Sequence, residues 1–600
     1  MSFQNKFLIT TADENTWKFD CPVIFLGEWC CLYNRKHIWQ GMDSVIAKPY
    51  DPDTQKKKID YLNLIKLEEN LFPQICALLN NHHGTKHGKR FWNIAIGHWF
   101  RATLQMLYNR INTIEQLFKT ENISKTVLYR SDYCSLASLD FSSTLISFNN
   151  DKWNNILYGR IIDLLGIKNI IIDFYDNKKN KFIYQTYKRK ISSNNFNYKK
   201  KILKFIQKYY RKISERFVKN NDALIINSYL PKKEEIKLEL ALAQFPQSWI
   251  KEDLNILAKP DNIIRKNLIK NLIFKSNNKL ENILSELLCE LLPVCYLEGY
   301  KELNKIVEKQ KWPKKPKFIF TSNSFMTDEV FKLWVANKVE FGTKYYVGQH
   351  GNNYFTRKNI DIRNRFPRVE EKTPDKFLTW GWSNGQSKFK PAFIFKTTGK
   401  KIYNHNSKGG LLLIEKCKSF RHEIWDSSSE FNDYFEDQKK FVKNLDNEVK
   451  KKLIIRLHPG YQDGRYNEDL KWQEFDKTLR INSEVTSITN LTKKNRLTIF
   501  SYDSTALLET LSCNIPTLAF WKNTFEHLRE SVLPDYQTLV DAGILHLSPE
   551  SIANKVNEIW KDVDQWWKND NIQKTRLNFC KKYAKLSNSP ISDLKKILLS

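Results

Sequence analysis

Two short stretches in the last third of the chain combine residue types that can hold a phosphate. Residues 452–460 read Lys-Leu-Ile-Ile-Arg-Leu-His-Pro-Gly, and residues 497–509 read Leu-Thr-Ile-Phe-Ser-Tyr-Asp-Ser-Thr-Ala-Leu-Leu-Glu. The first stretch predicts a buried strand that ends at His458, because Pro459 stops strand pairing and bends the chain. The second predicts a strand, a hydroxyl-rich turn and a helix that begins at Ser504-Thr505, and residues 515–521 predict the next strand.

Together the two stretches predict a nucleotide site. In an open α/β sheet, ligands bind outside the carboxyl ends of the strands, and a helix N-terminus offers N–H groups and a positive dipole to a phosphate. A histidine that faces a Ser/Thr helix start could clamp a nucleoside mono- or diphosphate. Each stretch alone favours an ordinary strand end or helix cap. Their occurrence in order within one α/β unit favours the nucleotide site.

The first two thirds of the chain offer polar residues where other strands are predicted to end. A strand at 344–348 runs into Gln349-His350-Gly351, and Gly351 permits close approach of a ligand or a backbone. Strands at 7–11 and 23–26 are followed by Asp13, Glu14 and Glu28. His350 could act as a base or as a donor, or could shape the turn, and each carboxylate could be a base or merely a cap.

Strands and helices alternate along most of the chain, which is typical of parallel sheets covered by helices. Residues 397–410 are polar and glycine-punctuated, as linkers are. We expect two Rossmann-like units that face a cleft, at 1–396 and 411–600. The first should contain a helical and basic insert at about 178–310, and the second should end in helices from about 550.

Composition limits the function classes. The 600 residues are 41% hydrophobic and carry a net charge of +31, so the chain can bury a large core and is not globally disordered. The charge suits nucleic acid, an anionic membrane or phosphorylated substrates, although richness in Lys, Asn and Ile is also typical of AT-rich coding. We find no RNA-binding or helix-turn-helix motif and no Cys-x-x-Cys pair. With no apolar run of about 18 residues and no secretion signal, we expect a cytoplasmic protein with reduced thiols.

One segment is strongly basic. Residues 178–216 contain 14 Lys or Arg and a single acid, Glu215. Ile202, Ile206, Tyr209, Ile213 and Phe217 recur within it at helical spacing and predict a basic amphipathic helix over 198–218. This helix could contact an anionic membrane, or it could pack on the core and leave a solvated lysine face.

Five motifs together give the chain a family resemblance. They are Glu28-Trp29-Cys30, His83-Gly84, Gln349-His350-Gly351, His458-Pro459 and Ser504-Thr505 running to Glu509. The chain resembles, over nearly its whole length, the LIC12162 family of bacterial surface-carbohydrate transferases. That family is similar in its second half to capsule Kdo transferases and bacterial sialyltransferases, which are GT-B enzymes that use CMP-activated ulosonic acids.

The resemblance implies an activity and a site. The enzyme would move a CMP-activated ulosonic acid, such as pseudaminic acid, a sialic acid or Kdo, onto a bacterial surface glycan. His458 would contact the CMP phosphate, Pro459 would flank the cytidine, and Ser504 and Thr505 would bind phosphate. The sequence departs from the relatives in two places: it lacks a clear acidic triplet for the base, and it has Asn352 where a second glycine is usual.

The expected site therefore has three groups of residues. The catalytic candidates are His350, Glu28 and Asp13. The donor-binding candidates are His458, Pro459, Gly460, Ser504, Thr505 and Glu509, and the substrate-binding candidates are Gln349, Gly351, Arg456, Ser228 and His83. We expect no metal and no cofactor, and we expect the partners to be a CMP-sugar and a glycan or lipid-linked glycan. The alternatives are a CDP-glycerol glycerophosphotransferase and a non-enzymatic polyanion-binding protein.

Overall fold

The computed structural model describes residues 5–50, 54–175, 198–251, 253–271, 278–352, 354–357, 368–400, 405–416, 428–484, 488–521 and 525–600. These residues contain sixteen strands, which form three sheets with every strand pair parallel. Parallel sheets are covered by helices on both faces, and this arrangement explains the continuous apolar runs of many strands.

The N-terminal sheet has the order β3-β2-β1-β4-β5. Its strands are β1 Lys6–Ile9, β2 Val23–Phe25, β3 Ser44–Ile46, β4 Ile123–Tyr129 and β5 Ile171–Tyr175. The chain moves outward on one side of β1, then returns to its other side at β4. The topological switch point, where ligands bind in open α/β sheets, therefore lies between β1 and β4.

The middle sheet has the order β10-β9-β8-β7-β6, with no reversal. Its strands are β6 Leu224–Ile225, β7 Ile319–Thr321, β8 Tyr345–Gly348, β9 Lys376–Thr379 and β10 Phe389–Pro391. Asn227 and Tyr229, just after β6, both adopt left-handed backbone conformations, with φ of 51° and 65°. Such conformations are costly outside glycine and occur often at functional sites.

The C-terminal sheet has the order β13-β12-β11-β14-β15-β16. Its strands are β11 Gly410–Ile414, β12 Leu453–Arg456, β13 Arg480–Asn482, β14 Asn495–Phe500, β15 Thr517–Phe520 and β16 Leu545–His546. This is the doubly wound dinucleotide-binding order, and its switch point lies between β11 and β14.

Helices separate the strands and form the outer layers. Around the N-terminal sheet they are Lys36–Trp39, Thr54–His83, Lys89–Thr120, Phe141–Ser147 and Asp151–Leu164. From there to the end of the middle sheet they are Tyr198–Ser214, Lys232–Ala241, Asn262–Lys270, Lys279–Leu291, Tyr300–Glu308, Glu329–Glu340 and Val369–Lys372. In the remainder they are Ser428–Lys443, Asn447–Lys450, Tyr461–Gly464, Glu468–Phe475, Ile488–Lys494, Thr505–Ser512, Leu533–Asp541, Pro549–Ile559, Val563–Trp567, Asp570–Tyr583 and Pro590–Leu599.

The last helix returns to the middle sheet. Leu594 and Leu598 are buried in one apolar cluster with Leu378 of β9, and the Ile394 amide donates to the Lys585 carbonyl. The end of the chain thus joins the C-terminal sheet to the middle sheet.

The predicted α/β class with Rossmann-like parallel sheets is confirmed, but the number of sheets differs from the two expected. Residues 1–396 contain two separate sheets, because β5 ends one sheet at its edge and β6 begins another. Strand pairing is non-local, so a list of strands along the sequence does not show where one sheet stops. Of the expected linker 397–410, residues 401–404 lie outside the described residues.

The structure contradicts one of the two interpretations of the basic helix, the one in which its apolar side chains pack on the core. It spans Tyr198–Ser214 and continues as a 3-10 turn at Glu215–Phe217. Its apolar side chains are not packed on the core: Phe205 is 72% exposed, Tyr209 63% and Phe217 52%. The side chain of Ile202 lies outside the described residues.

Candidate functional site

The Gln-His-Gly loop joins the carboxyl edges of the middle and C-terminal sheets. It follows β8, and the Asn352 amide donates to Thr505 Oγ1 at 3.0 Å. The Asn352 side chain donates to Asp503 Oδ1 at 2.7 Å. A Cβ atom on Gly351 would lie 3.1 Å from Thr505 Oγ1, so the absence of a side chain permits this close approach. The loop and the Ser504-Thr505 helix start therefore form one site.

Gln349 holds the loop in place. It is buried, and its Oε1 accepts hydrogen bonds from the Trp380 amide at 2.9 Å and from Trp382 Nε1 at 2.8 Å. Its Nε2 donates to the Gly351 carbonyl at 2.8 Å. Since both ends of the amide are engaged within the protein, Gln349 positions the loop and is not placed to contact substrate as expected.

His350 is held by a chain of two further side chains. Its Nδ1 lies 2.7 Å from the Tyr354 hydroxyl, which in turn donates to Glu370 Oε1 at 3.1 Å. Burial, with smaller contributions from Arg368 and Lys396 and against the opposing charge of Glu370, lowers the pKa of His350 to about 4. The imidazole is therefore neutral at physiological pH.

The positions of the protons in the hydrogen-bonded series His350, Tyr354 and Glu370 follow from the charge states of the three groups. Burial raises the pKa of the Tyr354 hydroxyl well above its usual value, so that the hydroxyl keeps its proton. Burial also raises the pKa of Glu370, but His98 and Arg368 outweigh this effect and lower it below its usual range, so that the carboxyl is ionised. The Tyr354 proton goes to the carboxylate, and the His350 Nδ1–H then donates to the Tyr354 oxygen. Nε2 is left with its lone pair, as a proton acceptor.

Aromatic and charged side chains surround His350. Tyr229 and Phe325 lie beside the imidazole, with ring centroids 6.2 Å and 5.7 Å away. Lys396 lies over the Tyr229 ring at 4.9 Å and pairs with Glu509 Oε1 at 3.2 Å. Glu509, expected on the donor side, thus links the helix Thr505–Ser512 to the middle sheet.

Ser228 is placed beneath this group. It is fully buried, and its Oγ donates to Glu235 Oε2 at 2.5 Å. Its carbonyl accepts from Ser322 Oγ at 2.8 Å. Ser228 was expected to bind substrate, but its contacts support the turn that presents Tyr229.

His458 is presented at the exposed end of β12. Its Nδ1 accepts a hydrogen bond from the Gly460 amide at 3.0 Å. A nitrogen that accepts carries no proton, so the neutral ring bears its proton on Nε2. His458 is thereby set as a hydrogen-bond donor, and Pro459 beside it is exposed.

The hydroxyls of Ser504 and Thr505 are used within the protein. Ser504 is the N-cap of the helix Thr505–Ser512, and its Oγ accepts from the Leu507 amide at 3.0 Å. Thr505 Oγ1 accepts from Asn352, as described above. These contacts leave the N–H groups of Thr505 and Ala506, in addition to the hydroxyl protons, as the groups that can donate to an anion.

The candidate residues chosen from the sequence did not include a buried glutamate, Glu415, at the C-terminal switch point. Burial raises the pKa of Glu415, just after β11, to about 8, and Glu468 adds to the rise against a hydrogen bond from Trp472. Ser501, after β14, lies 2.6 Å from the Tyr434 hydroxyl, which accepts from the Lys416 amide at 2.8 Å. The sequence did contain a signal for it: the apolar run 411–414 is followed directly by the polar residues Glu415 and Lys416, just as the runs of β12 and β14 are followed by His458 and Ser501.

The N-terminal candidates lie on a different sheet from His350. Asp13 follows β1, and its Oδ2 accepts from the Tyr129 hydroxyl at 2.8 Å. Glu28 follows β2 and accepts from Asn432 Nδ2 at 3.0 Å, so it touches the C-terminal half. The structure brings neither carboxylate into contact with the Gln-His-Gly loop.

Two further candidates have contacts that differ from those expected. His83 Nε2 lies 2.9 Å from the Tyr296 carbonyl, and its ring stacks on Tyr300 at 4.2 Å. We therefore assign His83 to helix packing. Arg456 is buried within β12 near Tyr502, and burial lowers its pKa.

Within the described ranges, no three His, Cys, Asp or Glu side chains converge as a metal-binding group. The described part of the chain also contains no helix that is both long and apolar enough to cross a bilayer.

Solved structures with a related chain path have very different sequences. MnaA from S. aureus, solved with UDP, is 11% identical, with 62% of this chain and 94% of that chain covered and a TM-score of 0.35. The wall teichoic acid polymerase TagF is 10% identical, with 66% and 94% covered and a TM-score of 0.33. WaaG, a glycosyltransferase involved in lipopolysaccharide biosynthesis, is 11% identical, with 50% and 95% covered and a TM-score of 0.27. Scores this low carry no argument about function.

The family assignment rests on the sequence itself. No curated protein shows a significant match to this chain. The model of the LIC12162 family transferases, in contrast, matches residues 6–598, which is nearly the whole length. The chain belongs to the LIC12162 family of transferases.

Proposed function

We propose that this protein is a glycosyltransferase that moves a CMP-activated ulosonic acid onto a bacterial surface glycan. The observation that carries the proposal is the contact between two carboxyl edges. One edge presents groups that suit a phosphate, His458 and the helix start at Thr505, and the other presents a neutral histidine, His350. A donor held on the first edge would place its sugar toward the second.

The carboxyl edge of the C-terminal sheet, called here the donor edge because it would hold the sugar donor, has the right dimensions for a nucleotide. β12 and β14 both pair with β11, so their ends lie two strand spacings apart, about 10 Å. The His458 Nε2–H at one end and the helix N-terminus at the other would hold the phosphate. Lys416 lies between them, after β11, and can hold a second anionic group such as a sugar carboxylate.

The chemistry needs charge stabilisation and a base. Loss of CMP from C2 of a ulosonic acid builds oxocarbenium character in the sugar and charge on the departing phosphate. Donors aimed at that phosphate stabilise the charge as it develops. His350 Nε2, neutral and with its lone pair free, would accept the proton of the acceptor hydroxyl. In this mechanism the catalytic base is His350, not one of the carboxylates Asp13 and Glu28.

CMP should stabilise the protein without added metal. Ligand at a hundredfold excess over Kd adds about 2.7 kcal/mol to the free energy of unfolding, which raises Tm. We expect this rise with CMP in EDTA, and little rise with UMP, GMP or random RNA, measured by differential scanning fluorimetry.

The same measurement separates the alternatives. Stabilisation by RNA of random sequence, and not by CMP, would indicate a polyanion-binding protein. Turnover of CDP-glycerol in place of CMP-sugars would indicate a glycerophosphotransferase. Activity that is lost in EDTA and restored by Mg²⁺ or Mn²⁺ would contradict the metal-independent mechanism.

We further propose that the basic helix Tyr198–Ser214 rests on an anionic membrane, where a lipid-linked acceptor would be found. Its 17 residues include seven Lys or Arg and no acid. Phe205, Ile206, Tyr209 and Ile213 are exposed, and Phe217 stacks on Phe245 at 4.7 Å to extend the apolar surface. Exposed aromatic residues beside clustered lysines suit the boundary between headgroups and acyl chains.

Vesicle binding tests this proposal. The double variant Phe205→Ser, Tyr209→Ser should bind phosphatidylglycerol vesicles at least about tenfold more weakly than the wild type in a sedimentation assay, because two aromatic side chains no longer enter the lipid. Phe341→Ser is the matched control, since Phe341 is 88% exposed at the end of another helix. Equal binding of the double variant, or equal binding of the wild type to neutral vesicles, would contradict the proposal.

A further inference from the structure

The N-terminal sheet has its own cleft at its own switch point. The order β3-β2-β1-β4-β5 repeats the order of the first five strands of the C-terminal sheet. A cleft of about 570 Å³ opens beside the end of β1, and its lining includes Asp13, Asn15, Phe19, Arg35 and Asp151. Ligands of doubly wound sheets bind at this position. The mechanism proposed above leaves this cleft without a role.

The lining offers hydrogen-bonding groups in fixed orientations. Asp13 is oriented by Tyr129 at 2.8 Å and by the side-chain amide of Asn15 at 2.8 Å. Arg35 pairs with Glu14 through two contacts of 2.7 Å and 2.6 Å. Phe19 is 59% exposed, which leaves much of its ring open to a ligand.

The charge of the cleft disfavours a phosphate. Asp13, Glu14 and Asp151 are acidic, and the arginines that contact them are already paired, Arg35 with Glu14 and Arg465 with Asp151. No cation pairs with Asp13 among the described residues. Carboxylate and amide groups around an exposed aromatic ring suit a polyhydroxylated ligand, whose hydroxyls donate to the acids and whose C–H face packs on the ring.

The cleft is directly connected to the His458 turn. Arg465 binds Asp151 with contacts of 3.0 Å and 2.7 Å. It follows the helix Tyr461–Gly464, whose first amide donates to the His458 carbonyl at 2.9 Å. The arginine that binds Asp151 in the cleft lining is therefore seven residues along the chain from the histidine that would hold the donor phosphate.

We propose that this cleft binds a saccharide unit of the acceptor. The assignment as an acceptor subsite rests on the proposed glycosyl transfer, whereas the binding of a saccharide does not. Asp13 is then a saccharide-binding residue that accepts hydrogen bonds from sugar hydroxyls. Phe19 is the platform on which the sugar ring packs.

Saturation-transfer NMR on the full chain tests the site, with the methyl glycosides of galactose, glucose and N-acetylglucosamine as probes. We expect at least one probe to receive saturation from the wild type. Phe19→Ala should weaken its binding about tenfold, because the ring face is lost, and Asp13→Asn should weaken it through the lost acceptor. Phe341→Ala is the control, because it removes an exposed ring elsewhere and should leave the signal unchanged.

The outcomes separate this proposal from the proposed function. A wild type that binds none of the three glycosides, or a signal that survives Phe19→Ala, would overturn the saccharide site. Stabilisation by CMP should be the same in the wild type and in Phe19→Ala. Sugar binding without CMP stabilisation would keep the site and reject the CMP-dependent transfer.

Discussion

His350→Ala should lower kcat by about 10²–10⁴ and leave CMP affinity unchanged, because general-base catalysis contributes about that much and, in the proposed mechanism, His350 contacts the acceptor and not the nucleotide. The loss should be equal in kcat and kcat/KM, as expected when an interaction is made only in the transition state. Single-turnover kinetics with a CMP-sugar and calorimetry with CMP measure the two quantities. Weaker CMP binding with unchanged kcat would remove His350 from the base role.

The pH dependence gives an independent test of the same residue. In the proposed mechanism the active form of His350 is the neutral one, and burial lowers the pKa of His350 to about 4. The rate should therefore persist as pH falls through 6 and decline only as pH approaches about 4. An acid limb near the ordinary histidine pKa of about 6.5 would contradict a buried neutral base.

Tyr354→Phe tests the hydrogen bonds, from His350 through Tyr354 to Glu370, that orient His350 as the proposed base. It removes the oxygen that accepts from His350 Nδ1–H, so the tautomer with its lone pair on Nε2 is no longer favoured. We expect kcat to fall about tenfold, the scale of one lost hydrogen bond, with KM unchanged. A fall in Tm alone would assign Tyr354 to packing.

The second large effect concerns His458. His458→Ala should lower turnover by about 10²–10³, the usual cost of removing one donor from developing negative charge. The substitution should change Tm little, because the His458 side chain is exposed and packs little in the folded state. His82→Ala, at another exposed histidine, is the matched control for turnover and for Tm.

His458→Gln distinguishes a donor from a cation. The bond from the Gly460 amide to Nδ1 fixes a neutral ring with its proton on Nε2. Glutamine keeps a neutral N–H donor, so it should retain more activity than alanine. If glutamine and alanine are equally inactive while arginine restores turnover, the residue acts through charge and the tautomer argument fails.

The sequence predicted the local parts of the site well. The strands at β12 and β14 and the helix start at Ser504 all lie where apolar runs, proline and hydroxyl residues placed them. Those signals are local, since they depend on residues a few positions apart. The prediction of a basic amphipathic helix was equally local, but whether its apolar face would be covered depended on packing.

The non-local parts could not be predicted. Glu370 supports His350 only because the helix Val369–Lys372 packs on the helix Lys89–Thr120, and no spacing in the sequence indicates that contact. The division of residues 1–396 into two sheets depends on which strand edges pair. The contact between Arg465 and Asp151 joins residues more than three hundred positions apart.

The two borders of the C-terminal half differ in their balance of ion pairs and apolar packing, and this difference predicts how each responds to ionic strength. The N-terminal sheet meets the C-terminal half through ion pairs, Arg465 with Asp151 and Lys36 with Glu474, whose side chains are 19–50% exposed. The middle sheet meets it through one ion pair, Lys396 with Glu509, through the hydrogen bonds of Asn352, and through the apolar packing of the returning last helix. Exposed ion pairs weaken as salt screens them, whereas apolar packing does not. Added salt should therefore loosen the N-terminal border before the middle border, and in the proposed mechanism this would separate the saccharide cleft from the His458 turn while the phosphate-binding edge stays assembled.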